Sequence, residues 1–283
     1  MEARLRPPAD GLVLVGRRPP FGSYLAEAWR RRQFAVTLAG HRLVGSLLEN
    51  RLGVLWIVLK PLMTVLIYGA IFGAVLSSAA RPDDWIPFLI TGVFVFEYWT
   101  GCFGSGSKAI TSNAKLVQSL GFPRILLPVA VVIEQAMRMI PIVLLLGVLL
   151  LVFGIPISWS WLLVVPILVV MTIFNFGVAL IVARLSVWAR DIQQLIPTIN
   201  RILFYVSGIL FQADAVFAEQ PVPLTIIHLI PTYDFIALVR DVMIPSHSAP
   251  LLAYIAAPVW AVLALVFGAV YFWRAEARYG LSD

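Results

Sequence analysis

Trp161-Leu-Leu-Val-Val-Pro-Ile-Leu-Val-Val-Met-Thr-Ile-Phe-Asn-Phe-Gly-Val-Ala-Leu-Ile-Val-Ala183 contains no charged side chain. As a helix rising 1.5 Å per residue, such a stretch covers roughly 35 Å, enough to cross ~30 Å of hydrocarbon. It carries no period-two alternation of the kind a membrane barrel needs, and open sheets do not span lipid. The stretch therefore reads as a transmembrane helix.

Five comparable stretches surround it: Leu55–Leu76, Ile86–Phe103, Ile125–Phe153, Gln194–Phe211 and Leu251–Trp273. Ile125–Phe153 is too long to stand upright, so it tilts or projects from the bilayer. The whole composition agrees. Of 283 residues, 60% are apolar and 13% charged, with a mean hydropathy of +0.91. Soluble domains carry about 25% charged residues, and disordered chains require low hydrophobicity. The expected fold is an all-α integral membrane protein of six transmembrane helices, with residues 1–54 as an N-terminal segment and 55–283 as the membrane domain.

Six spans place both termini on one side, and the Lys and Arg residues say which. Residues 1–54 hold Arg4, Arg6, Arg17, Arg18, Arg30, Arg31, Arg32, Arg42 and Arg51. Lys108, Lys115, Arg124, Arg184, Arg190, Arg274 and Arg278 fall on the same side, against only Arg81 and Arg240 on the other. The positive-inside rule puts both termini in the cytoplasm of a multi-pass plasma-membrane protein. The net charge of +6 then reads as orientation, not as a nucleic-acid signal. Cys102 is the sole cysteine, and His41, His228 and His247 lack metal-ligand spacing. No metal site is expected.

Residues 1–54 do not resemble a signal peptide, because Gly11–Gly16 is too short for an apolar core. Ser23–Ala39 reads as one amphipathic helix in the membrane interface, with Trp29 on its apolar face. Between the fifth and sixth stretches, 212–250 holds Pro221, Pro223, Pro231, Pro245 and Pro250 and short apolar pieces. These either dip into the membrane as re-entrant helices or form a surface loop.

Gly101–Lys108 is glycine-rich but lacks the Gly-Lys-Ser/Thr ending of a phosphate loop and reads as a flexible end to the second span. Gly69 and Gly73 have small-xxx-small spacing. Glu134 and Arg138, four apart, share a helix face and can form an intramembrane ion pair. Glu97 and Arg201 stand as isolated charges, while Lys60 and Arg184 can snorkel to the interface. Phe94, Tyr98 and Trp99, with Phe204 and Tyr205, form aromatic clusters that stack on sugar rings, belt the interface or fill packing; they are the candidate channel residues. Ser107–Arg124 reads as a short amphipathic helix with Ile110, Ala114, Val117 and Gly121 on one face, suited to gripping a soluble motor.

These pieces, in order, resemble the permeases of ABC transporters that export polysaccharides such as O-antigen, capsule, teichoic acid and galactan. The similar residues are Arg51-Leu-Gly-Val-Leu-Trp56 with Lys60-Pro-Leu62, Ser112-Asn-Ala-Lys-Leu-Val117, Phe122-Pro-Arg-Ile-Leu-Leu-Pro128, Arg190-Asp191, Ser207-Gly-Ile-Leu-Phe211 and Pro231–Arg240. The resemblance implies a permease homodimer with two copies of a separate ATP-binding subunit, which would hold the ATP and magnesium. It implies no cofactor and no catalytic residue in this chain. Asn113, Lys115, Val117 and Arg124 would couple to the ATPase, and Trp29, Arg51 and Trp56 would line the interfacial approach. The substrate would be a polyprenyl-diphosphate-linked polysaccharide, with short re-entrant helices before the last span. Gly45–Asn50 departs from the family in being poorer in charge. A drug- or lipid-exporting ABC permease and a membrane-bound transferase on lipid-linked sugars are the alternatives. The latter would need an Asp, Glu or His cluster at a membrane surface.

Overall fold

The computed structural model describes residues 19–48, 53, 55–75, 84–217 and 221–279. The regular structure among these residues is all helix, with no strand. In chain order the helices are α1 (Phe21–Arg30), α2 (Arg32–Leu48), α3 (Leu55–Val75), α4 (Trp85–Ser107), α5 (Ala114–Ser119), α6 (Leu126–Val152) and α7 (Val164–Trp188). They continue as α8 (Ile192–Val206), α9 (Ala213–Val216), α10 (Pro221–His228), α11 (Pro231–Met243) and α12 (Leu251–Arg274). Three-residue turns of 3-10 helix precede α5 and follow α12, and a longer one, Trp159–Leu163, leads into α7.

Among the described residues, five helices are long and apolar enough to cross a membrane: Leu55–Ala74, Trp85–Ser107, Leu126–Val152, Trp159–Trp188 and Leu251–Arg274. α4 is the hub. Both of its faces are buried, by α3, α6, α7, α8 and α11. The other four leave one stripe bare, as Leu66 and Ile71, Leu144 and Val148, Val165 and Val169, or Val262 and Val266 show. Such stripes call for lipid or another apolar surface against them.

The expected fifth span differs. α8 has 15 residues, about 22 Å of helix against ~30 Å of hydrocarbon. It starts beside Thr111, to which Gln193 Nε2 donates at 2.9 Å, and stops at Gly208, whose φ of +63° breaks the helix. Gly208 lies level with Phe88 and Gly92, one to two turns inside α4, because Arg240 reaches all three. α11 packs against α4 here and is buried from Thr232 to Val239 at nearly every position. Its last carbonyls accept from the α6–α7 connection, Ser160 Oγ to Val242 at 2.6 Å and Trp161 Nε1 to Met243 at 3.2 Å. The bundle thus has an α11 end and an α5 end.

α6 has 27 residues and closes on a Schellman turn: the Gly154 and Ile155 amides donate to Leu151 and Leu150, with Gly154 at φ +84°. α7 and α12 make the closest approach. A Cβ on Gly177 would stand 2.2 Å from the Ala264 carbonyl carbon, and one on Gly268 2.3 Å from the Gly177 oxygen. Ala253, Ala257, Ala261 and Gly268 form the buried stripe that makes this possible. Within the chain Gly69 meets Leu89 at ordinary contact distance and Gly73 faces open space.

The single interfacial helix expected over Ser23–Ala39 is instead two, broken at Arg31, where ψ is 16°. α1 buries only Tyr24 and exposes Trp29. α2 runs alongside α6: Ala35 and Ala39 pack on Leu126 and Ala130, and Ser46 meets Arg138. Arg138 lies twelve residues into α6, or ~18 Å.

Candidate functional site

Two places concentrate polar groups. The first is a cavity of about 470 Å³ between α2, α3, α4 and α6, reaching along α6 as far as Ile142, roughly four turns in from the α5 end. Two ion pairs line it. Lys60 Nζ of α3 lies 2.6 Å from Glu97 Oε1 of α4, and Arg138 Nη2 lies 2.9 Å from Glu134 Oε1 on α6. Arg138 Nη2 also donates to Ser46 Oγ at 2.6 Å. Burial alone pulls the Arg42 guanidinium below its ordinary value, and the field of Glu134 opposes that shift. Charges inside a span are costly unless paired, so each cation is placed against a carboxylate.

Glycine shapes this cavity. Gly101 is pressed by Gln135, whose Oε1 lies 2.3 Å from the site of a would-be Cβ, while Gly104 faces open space. The run Gly101–Lys108 is not a flexible end: α4 continues unbroken through Ser107. Its Gly106 instead lets Ala179 of α7 approach, at 2.9 Å from a would-be Cβ.

The second place is the α5 end. Lys108, Ser112, Lys115, Gln118 and Leu120 are exposed there, and so is Trp188. The helix in Ser107–Arg124 is shorter than its periodicity suggests. Only Ile110 and Val117 of the expected face are buried; Ala114 and Gly121 are exposed. Asn113 Nδ2 donates back to Ala109 O at 2.7 Å and shapes the turn. Arg124 is committed inward. Its Nη1 lies 3.6 Å from Glu276 Oε1 and donates to the Glu276 carbonyl at 2.9 Å. Glu276 also accepts from the Arg124 amide at 3.0 Å and from Tyr24 Oη at 2.7 Å. Arg31 Nη1 donates to Gly121 O at 2.9 Å. Three distant segments, α1, the α5 loop and the tail, are therefore one unit. Burial raises the Glu276 carboxyl above its ordinary value, while bonds from Arg124 and Tyr24 lower it. Burial also raises the Tyr24 hydroxyl, and Glu276 raises it further.

The candidate channel aromatics do not converge. Phe94 and Trp99 are inside the core. Trp99 stacks on Phe103 and Phe174 and donates to Asn200 Oδ1 at 3.2 Å. Tyr98 bonds Thr172 at 2.7 Å and borders the polar cavity. Phe204 packs on Tyr68 and Phe96, and Tyr205 is partly exposed. Trp56 lines the cavity; Trp29 is exposed with Arg32 over its ring at 4.8 Å. Arg51 lies outside the described residues.

Sequence reasoning left Glu97 isolated and let Lys60 snorkel; their pairing across 37 residues had no local signal. Arg184 likewise turns inward, donating to the Tyr271 carbonyl and lying 3.7 Å over the Tyr271 ring. The Tyr24–Glu276 contact was equally hidden.

Residues 35–244 match the family model described as ABC-2 type transporter. Two relatives from Klebsiella pneumoniae, both called O-antigen export system permease protein RfbA, are 28% and 27% identical to this chain. The alignments cover 59% and 58% of this chain and 64% and 63% of those relatives. The chain therefore spans under two thirds of their length. A Myxococcus xanthus protein of the same name is 22% identical over 69% of this chain and 74% of its own.

Proposed function

Because the chain belongs to the ABC-2 type transporter family, a family of multi-pass membrane transport proteins, we propose that it is the transmembrane subunit of an ABC exporter for a polyprenyl-diphosphate-linked polysaccharide. The observation that carries the cargo is the likeness to three O-antigen export permeases. In this reading the chain works as a homodimer with two copies of an ATP-binding subunit. The partner holds ATP and magnesium, and this chain contributes no catalytic group and binds no nucleic acid.

The α5 end faces the cytoplasm in this reading, with both termini, and Lys115 on α5 presents a cation to the ATPase. Asn113, Val117 and Arg124 act through the shape of the loop: a turn bond, a buried anchor and a tether to the tail. Closure of the motor would press on α5, and the bonds from Arg124, Glu276 and Tyr24 would pass that displacement to α1 and α2. α2 ends at the polar cavity, so the cavity would change shape with each cycle. The sixth crossing is α8 completed by the segment after Gly208, with α10 and α11 as re-entrant helices at the outer face. Their support is the depth at which Arg240 holds α11 against Phe88 and Gly208.

Depletion of the protein in its own cells, followed by glycan profiling, tests the reading. A lipid-linked polymer should accumulate inside while surface polysaccharide falls. Unchanged surface glycan would refute it.

A further inference from the structure

We infer that the cavity between α2, α3, α4 and α6 is a binding site for an uncharged, hydroxyl-rich sugar unit, and not for the diphosphate of the same substrate. The inference rests on the proposed cargo but assigns a site and a chemistry that the family relationship leaves open.

The cavity volume of about 470 Å³ falls within the ~300–1,000 Å³ of ordinary ligand pockets. Its charged lining is paired: Lys60 with Glu97, and Arg138 with Glu134. Arg42 stands near Glu134 from α2 as a further cation. A diphosphate bears at least two negative charges. Bound to the N–H groups that the pairs leave over, it would stand beside both carboxylates, and like charges at such range repel. A sugar meets no such repulsion. Its hydroxyls donate to the free lone pairs of Glu97 and Glu134 and accept from the remaining N–H groups of Lys60 and Arg138. Both ion pairs can stay intact while this happens. Charge-assisted bonds of this kind are the stronger class. Trp56 supplies an aromatic surface on the same wall, and the bare backbone at Gly104 leaves room for a ring.

The experiment uses the full-length permease in lipid nanodiscs. Equilibrium dialysis would measure a neutral galactose tetrasaccharide, with inorganic pyrophosphate and farnesyl diphosphate as competitors. We expect the tetrasaccharide to bind, and Glu97→Gln and Glu134→Gln each to weaken it at least tenfold. We expect neither diphosphate to compete. The carboxyl variants can fail by misfolding, so Gly104→Leu provides a second arm. It fills the cavity from a position where a Cβ meets nothing and improves helix propensity, so it should retain the parent melting temperature and lose sugar binding. Competition by either diphosphate would overturn the assignment, and so would sugar binding that survives Gly104→Leu. Failure of the tetrasaccharide to bind would also overturn it. The exporter reading would still stand if depleted cells regain surface glycan when the wild-type gene is restored.

Discussion

Tyr24 and Glu276, 252 positions apart, share a 2.7 Å hydrogen bond that joins the first described helix to the tail. The same phenol accepts from the Ile125 amide at 3.1 Å, at the start of α6. One hydroxyl thus ties three segments that sequence distance keeps apart, and it lies directly behind the loop proposed to meet the motor.

Tyr24→Phe should loosen that unit without unfolding the bundle. A buried partner left unpaired costs ~1–3 kcal/mol, and the ring itself stays packed. Hydrogen exchange in α1 and around Ala275 should accelerate several-fold, while α4 and α7 keep the parental rate. Unaltered exchange at α1 would mean the bond contributes nothing.

The Glu276 contact should depend on pH. Burial holds this carboxyl above its ordinary value, so the folded unit binds a proton more tightly than the open one. Its contribution is complete below the ordinary carboxylate range and declines as pH rises through the raised folded value. Exchange at Glu276–Tyr279, corrected for intrinsic rates, should therefore be slower at pH 5 than at pH 8. Glu276→Gln should flatten the difference. A slope of opposite sign would disprove the burial argument.

Lys115→Glu and Arg124→Glu should fail differently. Lys115 is exposed, so reversal should abolish co-purification with the ATP-binding subunit at an unchanged melting temperature. Arg124→Glu places a carboxylate against buried Glu276 and should lower the melting temperature first. Equal thermal stability of the two variants would contradict the inward tether of Arg124.

Arg240 donates to the carbonyls of Phe88, Gly208 and Ile209 at 2.8–3.2 Å, with its guanidinium 3.3 Å over the Phe88 ring. Arg240→Met takes the guanidinium from the buried Gly208 and Ile209 carbonyls and two bonds from the Phe88 carbonyl, which keeps its helix bond, so a loss of about 3 kcal/mol is expected. Arg240→Lys should recover only part, because an ammonium cannot reproduce the fork. Melting in detergent would rank the three proteins, and full rescue by Lys would refute the pinning role.

Gly268→Val should be severe, because its Cβ meets the Gly177 backbone; overpacking costs ~1–3 kcal/mol and here has no flexible side chain to displace. Gly73→Ala, facing open space, should be neutral or stabilising by up to ~1 kcal/mol. Similar melting temperatures for both would show that α7 and α12 can separate.

Much of this was legible from residue order. Glu134 and Arg138 could be paired because four residues on a helix return to one face. The five long spans announced themselves through apolar length. α8 did not, since Gln194–Phe211 has the apolarity of a span and only the positive φ of Gly208, held by Arg240 from another helix, shows where it stops. Phe94 and Trp99 looked like channel residues because an aromatic cluster has the same sequence whether it faces a pore or a core.

The sequence by itself determined that this chain lives in a membrane, as helices. Those properties follow from transfer free energies that add residue by residue and need no partner to be known. The tertiary structure decided which charges meet, where α2 inserts beside α6, and that Lys60, Glu97, Glu134 and Arg138 enclose one cavity. Such outcomes depend on pairs distant in sequence, and no local periodicity encodes which of several possible counter-charges will stand within 3 Å of a buried one.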